Sequence, residues 1–364
     1  MTLLSDDRPL LIVVGSGGVG KTTLAAALGV TSANEGRHTL VMTFDPSLRL
    51  KDALGVDAGT EEEAKEDAVT VDLGELGGAG RGSLAASLLD AGRTFDRLIE
   101  RYAPDEASRR RILDNRFYGH LSGSLAGILE YMAVERLFEV QAAGRYQQVI
   151  LDTPPTRQAL DFLEAPSRIV QFLDSGALKI ALKPWFDSQG RLRGATRLGP
   201  IGRRFERFMD DIVGLDLLRD MAEFFQAFGP LFDGFRQRAA KVEAMLRSEQ
   251  TQFLLVAGPG EERIPDTLFF ARKLEEAGLH LGPIAVNRMH PPVEAASREL
   301  SEARQLFSWL AERDRRGFEH LTELVGETRP LVGLPLLADE PTDLESLEAI
   351  GRDLLARLAA EGAG

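Results

Sequence analysis

Gly15, Gly20, Lys21 and Thr22 stand in the spacing G-x-x-x-x-G-K-[ST], inside the stretch GSGGVGKTT that runs from Gly15 to Thr23. That spacing suits one chemistry, the handling of a polyphosphate. Glycines let backbone N–H groups turn toward phosphate oxygens, and the start of a helix adds positive potential. Lys21 then reaches the β- and γ-phosphates while Thr22 offers its hydroxyl to Mg²⁺. Ser16, Gly17, Gly18, Val19 and Thr23 complete the predicted cradle, so ATP and Mg²⁺ are the expected cofactors. Two aspartates add to it: Asp45 in FDPSL and Asp152 in LDTPPT. Both fall at the ends of predicted strands, where ligands bind in open α/β sheets. Asp152 ends an apolar run as a magnesium-side carboxylate does, acting through water. Either aspartate alone could cap a turn; with the loop, the pair is better explained as a γ-phosphate and metal site.

The elements that must position these groups follow from short apolar runs. Leu10 to Val14 reads as a buried strand and Thr22 to Ala33 as the helix after it, which is the context the loop requires. Further strands are predicted at Thr39 to Phe44, Val69 to Leu73, Gln148 to Asp152, Phe253 to Ala257, Ile284 to Asn287 and Leu331 to Leu334, each buried on both faces and mostly separated by helical stretches. The fold class is therefore α/β, a doubly wound and mostly parallel sheet. Residues 83–145 and 165–249 are rich in helix formers and show no convincing strand, so they are assigned to an inserted helical subdomain, leaving 1–82, 146–164 and 250–364 for the nucleotide domain. In the second interval Leu218, Met221, Phe225, Phe228, Phe232 and Phe235 follow a three-four spacing flanked by Phe224 and Leu231, with a break expected at Gly229-Pro230.

Composition narrows the class. At 44% hydrophobic and 27% charged residues the chain reads as soluble and globular, with no run long enough for a membrane span. Forty-three basic against 56 acidic residues give a net charge of −13, which argues against nucleic acid as the main partner. The first residues, MTLLSDDRPL, show no secretory pattern, so a cytoplasmic location is expected. With no cysteine, disulfides, thiolate metal sites and cysteine nucleophiles are excluded. The five histidines show no ligand spacing. Only seven of the 43 basic residues are lysines, so arginine is the default cation and Lys21 is informative.

GSGGVGKTT, DPSLRLKDALG and DTPPTRQALDFL occur in the order of G-K-G-G-V-G-K-T-T, D-P-A-H-S-L and D-T-A-P-T-G-H-T-L and at similar separations. In these motifs the chain resembles the family of the arsenite-pump ATPase and of the ATPase that targets tail-anchored membrane proteins. VNRMHP around Asn287 and LPLLADEPTDLESL near the end extend the likeness over most of the chain. The resemblance implies that Lys21 and Thr22 hold phosphate and Mg²⁺, that Asp45 orients the attacking water, and that Asp152 supports the metal. It also implies that Asn287 and the backbone around Pro335 contact adenine, and that the protein works as a homodimer or with a related ATPase. The zinc-binding cysteine pair and the arsenite-binding thiols of the family have no counterpart here, so neither zinc nor metalloid pumping is expected.

One departure bears on catalysis. Where the family carries a lysine that reaches a dimer partner's phosphates, this chain has Ser16, which donates a hydrogen bond but no charge. Three readings stand: slow hydrolysis, a lysine contributed by a related subunit, or a substitute cation, with Arg157, Arg49 and Arg288 as candidates. The phenylalanine stripe reads more readily as core or a dimer interface than as a groove for a hydrophobic protein client, which the resemblance also implies.

Overall fold

β1 (Leu10–Gly15), β5 (Gln148–Asp152) and β6 (Thr251–Ala257) are buried at every residue. Strands covered on both faces lose the alternation of half-exposed ones, which is why they read as continuous apolar runs. The computed structural model describes residues 3–44, 49–55, 68–76, 82–116, 118, 128–154, 156–174, 220, 223–224, 226–293, 302–326 and 329–361. With β2 (His38–Thr43), β3 (Val69–Val71), β4 (Ser83–Leu88), β7 (Leu281–Met289) and β8 (Leu331–Pro335), these strands form one sheet in the order β3-β4-β2-β5-β1-β6-β7-β8. Every neighbouring pair is parallel except β3 and β4. The sheet is thus doubly wound and mostly parallel.

Two expectations about strands need correction. Residues 83–145 do contain a strand: β4 lies between β2 and β3, pairing Leu40 with Ala85 and Thr70 with Ala85 from opposite sides. The strand predicted at Val69 to Leu73 is a three-residue antiparallel edge in which only Val71 is buried. An edge strand this short presents few open backbone groups to another chain.

Helices supply the crossovers that parallel pairing needs. Among the described residues they are, in chain order, α1 (Lys21–Asn34), α2 (Arg49–Leu54), α3 (Ala91–Tyr102), α4 (Glu106–Leu113), α5 (Ile128–Ala143), α6 (Thr156–Asp174), α7 (Phe232–Leu246), α8 (Ile264–Glu276), α9 (Glu302–Val325) and α10 (Leu344–Glu361). α1 follows the loop and is buried along almost its whole length. It can be, because its small side chains permit contact on two sides. A Cβ on Gly29 would lie 2.3 Å from Cγ2 of Val41 in the sheet, and one on Gly351 of α10 would lie 2.7 Å from the Ala27 carbonyl oxygen. The helix that starts at the loop is therefore locked between sheet and α10.

By internal contacts the chain divides into two units, 1–89 with 138–160 and 245–364, and 90–137 with 161–244. The first unit contains the sheet and a core built on β1, α1 and α10. The described residues of the second are mostly helical. In its core Phe95, Leu98, Ile99, Ile112, Tyr131 and Ala165 meet Phe224, Phe228, Leu231 and Phe235. Ring centroids of Phe228 and Phe235 are 4.8 Å apart, and those of Phe224 and Phe228 are 5.3 Å apart. The break predicted at Gly229-Pro230 is a single 3₁₀ turn before α7. Leu218, Met221 and Phe225 lie outside the described residues. Among the described members of the stripe Phe224, Phe228, Leu231 and Phe235 are core, and Phe232 is half-buried against them.

Candidate functional site

The loop after β1 turns on left-handed glycines, with φ of +76° at Gly18 and +92° at Gly20. Gly20 is the N-cap of α1, and no side chain caps its first N–H groups. A helix start left open in this way is a ready anion site. Lys21 is buried, and its Nζ donates to the Ser16 carbonyl oxygen at 2.9 Å. The ammonium thus folds back across the loop. Ser16 takes part through its backbone, not its hydroxyl.

β5 delivers Asp152 to the foot of the loop. Register sets Asp152 beside Val13 of β1 on one side and Thr43 of β2 on the other. Its Oδ2 accepts from Thr22 Oγ1 at 2.7 Å and from Thr43 Oγ1 at 3.1 Å. Next along the chain, Thr153 donates its hydroxyl to the Val13 carbonyl oxygen at 2.8 Å, tying the segment after β5 to β1. Hydroxyl and carboxylate oxygens are hard donors, the kind that suits Mg²⁺ and does not suit a thiophilic metal. Thr22 and Asp152, predicted as metal-side residues, stand within one hydrogen bond of each other. Thr43 is a member of this group that motif reading missed. Its signal was its position, last in a buried strand next to the aspartate's strand.

β7 brings up two more residues. Asn287 Nδ2 donates to the Val19 carbonyl oxygen at 2.9 Å, and Arg288 Nη1 donates to the Gly18 carbonyl oxygen at 2.8 Å. Asn287 presses so closely on the loop that a Cβ on Gly20 would lie 2.4 Å from its Nδ2. Gly20→Ala must push the amide away and also hold an L-residue at positive φ. The expected cost is about 2 kcal/mol in urea denaturation. Because part of that cost is the clash, the double variant with Asn287→Ala is expected to lose less than the sum of the two single changes. An additive pair would mean that the two side chains do not meet.

Pro335 is placed differently. It lines a cleft of about 430 Å³ at β8, together with Met289, His290, Phe318 and Leu334. Asn287 does not line that cleft; its amide faces the loop. Asp45 lies outside the described residues, as do the side chains of Arg49 and Arg157. Of the candidate substitute cations, only Arg288 is described, and it is at the loop.

The sequence profile of the anion-transporting ATPase family matches residues 9–356. The chain belongs to that family. It is 26% identical to ATPase GET3 of Malassezia globosa over 94% of this chain and 89% of that protein. It is 24% identical to ATPase get3 of Neurospora crassa over 96% and 92% of the two chains. An uncharacterized protein of Streptomyces coelicolor is 26% identical over 85% of this chain and 71% of its own. Among the described residues no helix is long and apolar enough to cross a membrane.

Proposed function

We propose that this chain is a Mg-ATP-dependent switch ATPase that binds nucleotide as its family does and hydrolyses it slowly by itself. The observation that carries the reading is the convergence of Thr22, Thr43 and Asp152 beneath an uncapped helix start whose lysine is already folded into the loop. Lys21 would hold the β- and γ-phosphates and the loop N–H groups would bind their oxygens. Thr22 would ligate Mg²⁺ and Asp152 would hold one of its waters; when bound, the ion neutralises charge on the phosphate oxygens. Asp45 would orient the attacking water. Asn287, its Nδ2 on the loop, and the backbone at Pro335 would border the adenine at the ends of β7 and β8.

Ser16 gives the reading its second half. A transition-state cation is worth on the order of 10³- to 10⁵-fold in phosphoryl transfer, and serine supplies none. The same residue supports an alternative, in which the chain is a nucleotide-gated subunit whose lysine-bearing partner completes the site. In either case ATP would close a dimer, and a hydrophobic protein segment is the client that the family resemblance implies.

Calorimetric titration with Mg-ATP, phosphate release, and native mass with a nonhydrolysable analogue test these points together. The expected result is saturable binding with turnover roughly 10³-fold or more below that of the Ser16→Lys variant. Lys21→Ala is expected to abolish that binding. A wild-type chain that binds no nucleotide would refute the reading, and fast turnover of the isolated chain would refute the deficit at Ser16.

A further inference from the structure

Between Val286 and Met289, β7 advances three residues while β8 advances two, from Gly333 to Pro335. The extra residue is a bulge, a device that re-aims side chains beside functional sites. Arg288 sits in it at φ +64°, the one non-glycine residue at positive φ among the described residues. A strained backbone of this kind persists only where its surroundings over-determine it. Here they do: on one side Asn287 and Arg288 are bonded to the loop, and on the other His290 holds Asp314 of α9 through its backbone N–H at 2.9 Å and its ring at 2.7 Å.

Successive residues of a regular strand point to opposite faces. The bulge cancels that alternation, so Asn287 and Arg288 both reach the loop and take neighbouring carbonyls, Val19 O and Gly18 O. In a planar trans peptide the C=O and the following N–H point in opposite directions. A donor holding the Gly18 carbonyl outward therefore turns the Val19 N–H inward, and one holding the Val19 carbonyl does the same for the Gly20 N–H. Gly18 and Gly20, freest of all residues in backbone conformation, would otherwise leave those donors unfixed.

We propose that Arg288 is a positioning residue of the nucleotide site, which with Asn287 clamps two loop carbonyls from outside and so presets two N–H donors for a phosphate group. The assignment rests on the nucleotide reading above and adds to it that the phosphate nest is organised before ligand arrives. Preorganisation of this kind raises affinity by lowering the ordering cost of binding.

The test uses Arg288→Gly and Arg288→Asn, both of which tolerate positive φ, in the full chain. ADP, ATP and inorganic pyrophosphate are titrated calorimetrically with Mg²⁺, and the ligand-free melting temperature is recorded. Both variants are expected to lose about tenfold in affinity for all three ligands, the size of one charge-assisted hydrogen bond. Arg288→Gly is expected to melt at or above the wild-type temperature, because strain is relieved. Unchanged affinities with a lowered melting temperature would make the contact purely structural and overturn the proposal. Loss for ATP and ADP with pyrophosphate unaffected would place Arg288 on the nucleoside and also overturn it. A wild-type chain that binds none of the three ligands removes the nucleotide reading and this assignment together, whereas wild-type binding matched by both variants removes the assignment alone.

Discussion

Ser16→Lys is expected to raise Mg-ATP turnover by roughly 10³-fold, the lower end of what a cation on the transferred phosphoryl contributes. The structure gives reason to expect the loop to survive the change. Position 16 holds Lys21 through its backbone carbonyl, at 2.9 Å, and that contact does not depend on the side chain. Ser16 is half-buried and is followed by exposed Gly17 and Gly18, so a longer side chain has room at the rim. Affinity for ADP is expected to change little, because the added charge acts where charge builds up in transfer and less in the ground state. Steady-state phosphate release, measured across protein concentration, reads both effects. The rise should be steeper at concentrations that favour a dimer, if the lysine acts on the partner's nucleotide. A variant no faster than wild type would mean that the serine does not limit the rate, and the substitute cation or the lysine-bearing partner would become the better account.

How much of this could be read before the structure depends on what each residue's neighbours are. β1, β5 and β6 are legible because burial on both faces leaves unbroken apolar runs. β4 is not. SLAASL contains two serines and two alanines and no β-branched residue, and it becomes a strand through the neighbours β2 and β3 that pair with it. In the site, the loop is legible because its residues are contiguous. Thr43 has only a positional signal in sequence, because Asp152, which makes it meaningful, is 109 residues away and meets it through strand register. Arg288 could be read as a candidate cation, but its hold on the loop could not, for a different reason. Nothing in VNRMHP predicts a positive φ at an arginine, since the bulge is a property of how β7 pairs with β8. The phenylalanines show the limit of periodicity itself. Three-four spacing says that Phe228, Phe232 and Phe235 share a face, and only the structure shows that Phe95, Tyr118 and Tyr131 are among the residues that cover it.

In the helical unit, Arg238→Ala is expected to cost about 3 to 5 kcal/mol, the usual penalty for leaving a buried charge without its partner. Glu135 of α5 is fully buried, with Oε1 accepting from Arg238 Nε of α7 at 2.6 Å and Oε2 accepting from the Tyr131 hydroxyl at 3.0 Å. Arg238 also lies over the Tyr102 ring, 4.9 Å from its centroid. Burial, and then the charge of Glu135, hold the Tyr131 phenol above its ordinary range, so it stays a donor at physiological pH. One neutral donor cannot replace a guanidinium. Removing the arginine leaves the carboxylate to take up a proton or to open the helix pair to water, and both are costly. Urea denaturation measures the loss, and amide exchange over 128–143 and 232–246 should show it at the two helices that carry the pair. The double variant Glu135→Leu with Arg238→Met separates charge from packing. If the single change is costly because it strands a charge, the apolar pair recovers most of the stability, as buried ion pairs replaced by hydrophobic residues often do. If the double variant falls as far as the single one, the contribution of Arg238 lies in its stem and its ring contact, and the ion pair contributes little to holding α5 and α7 together.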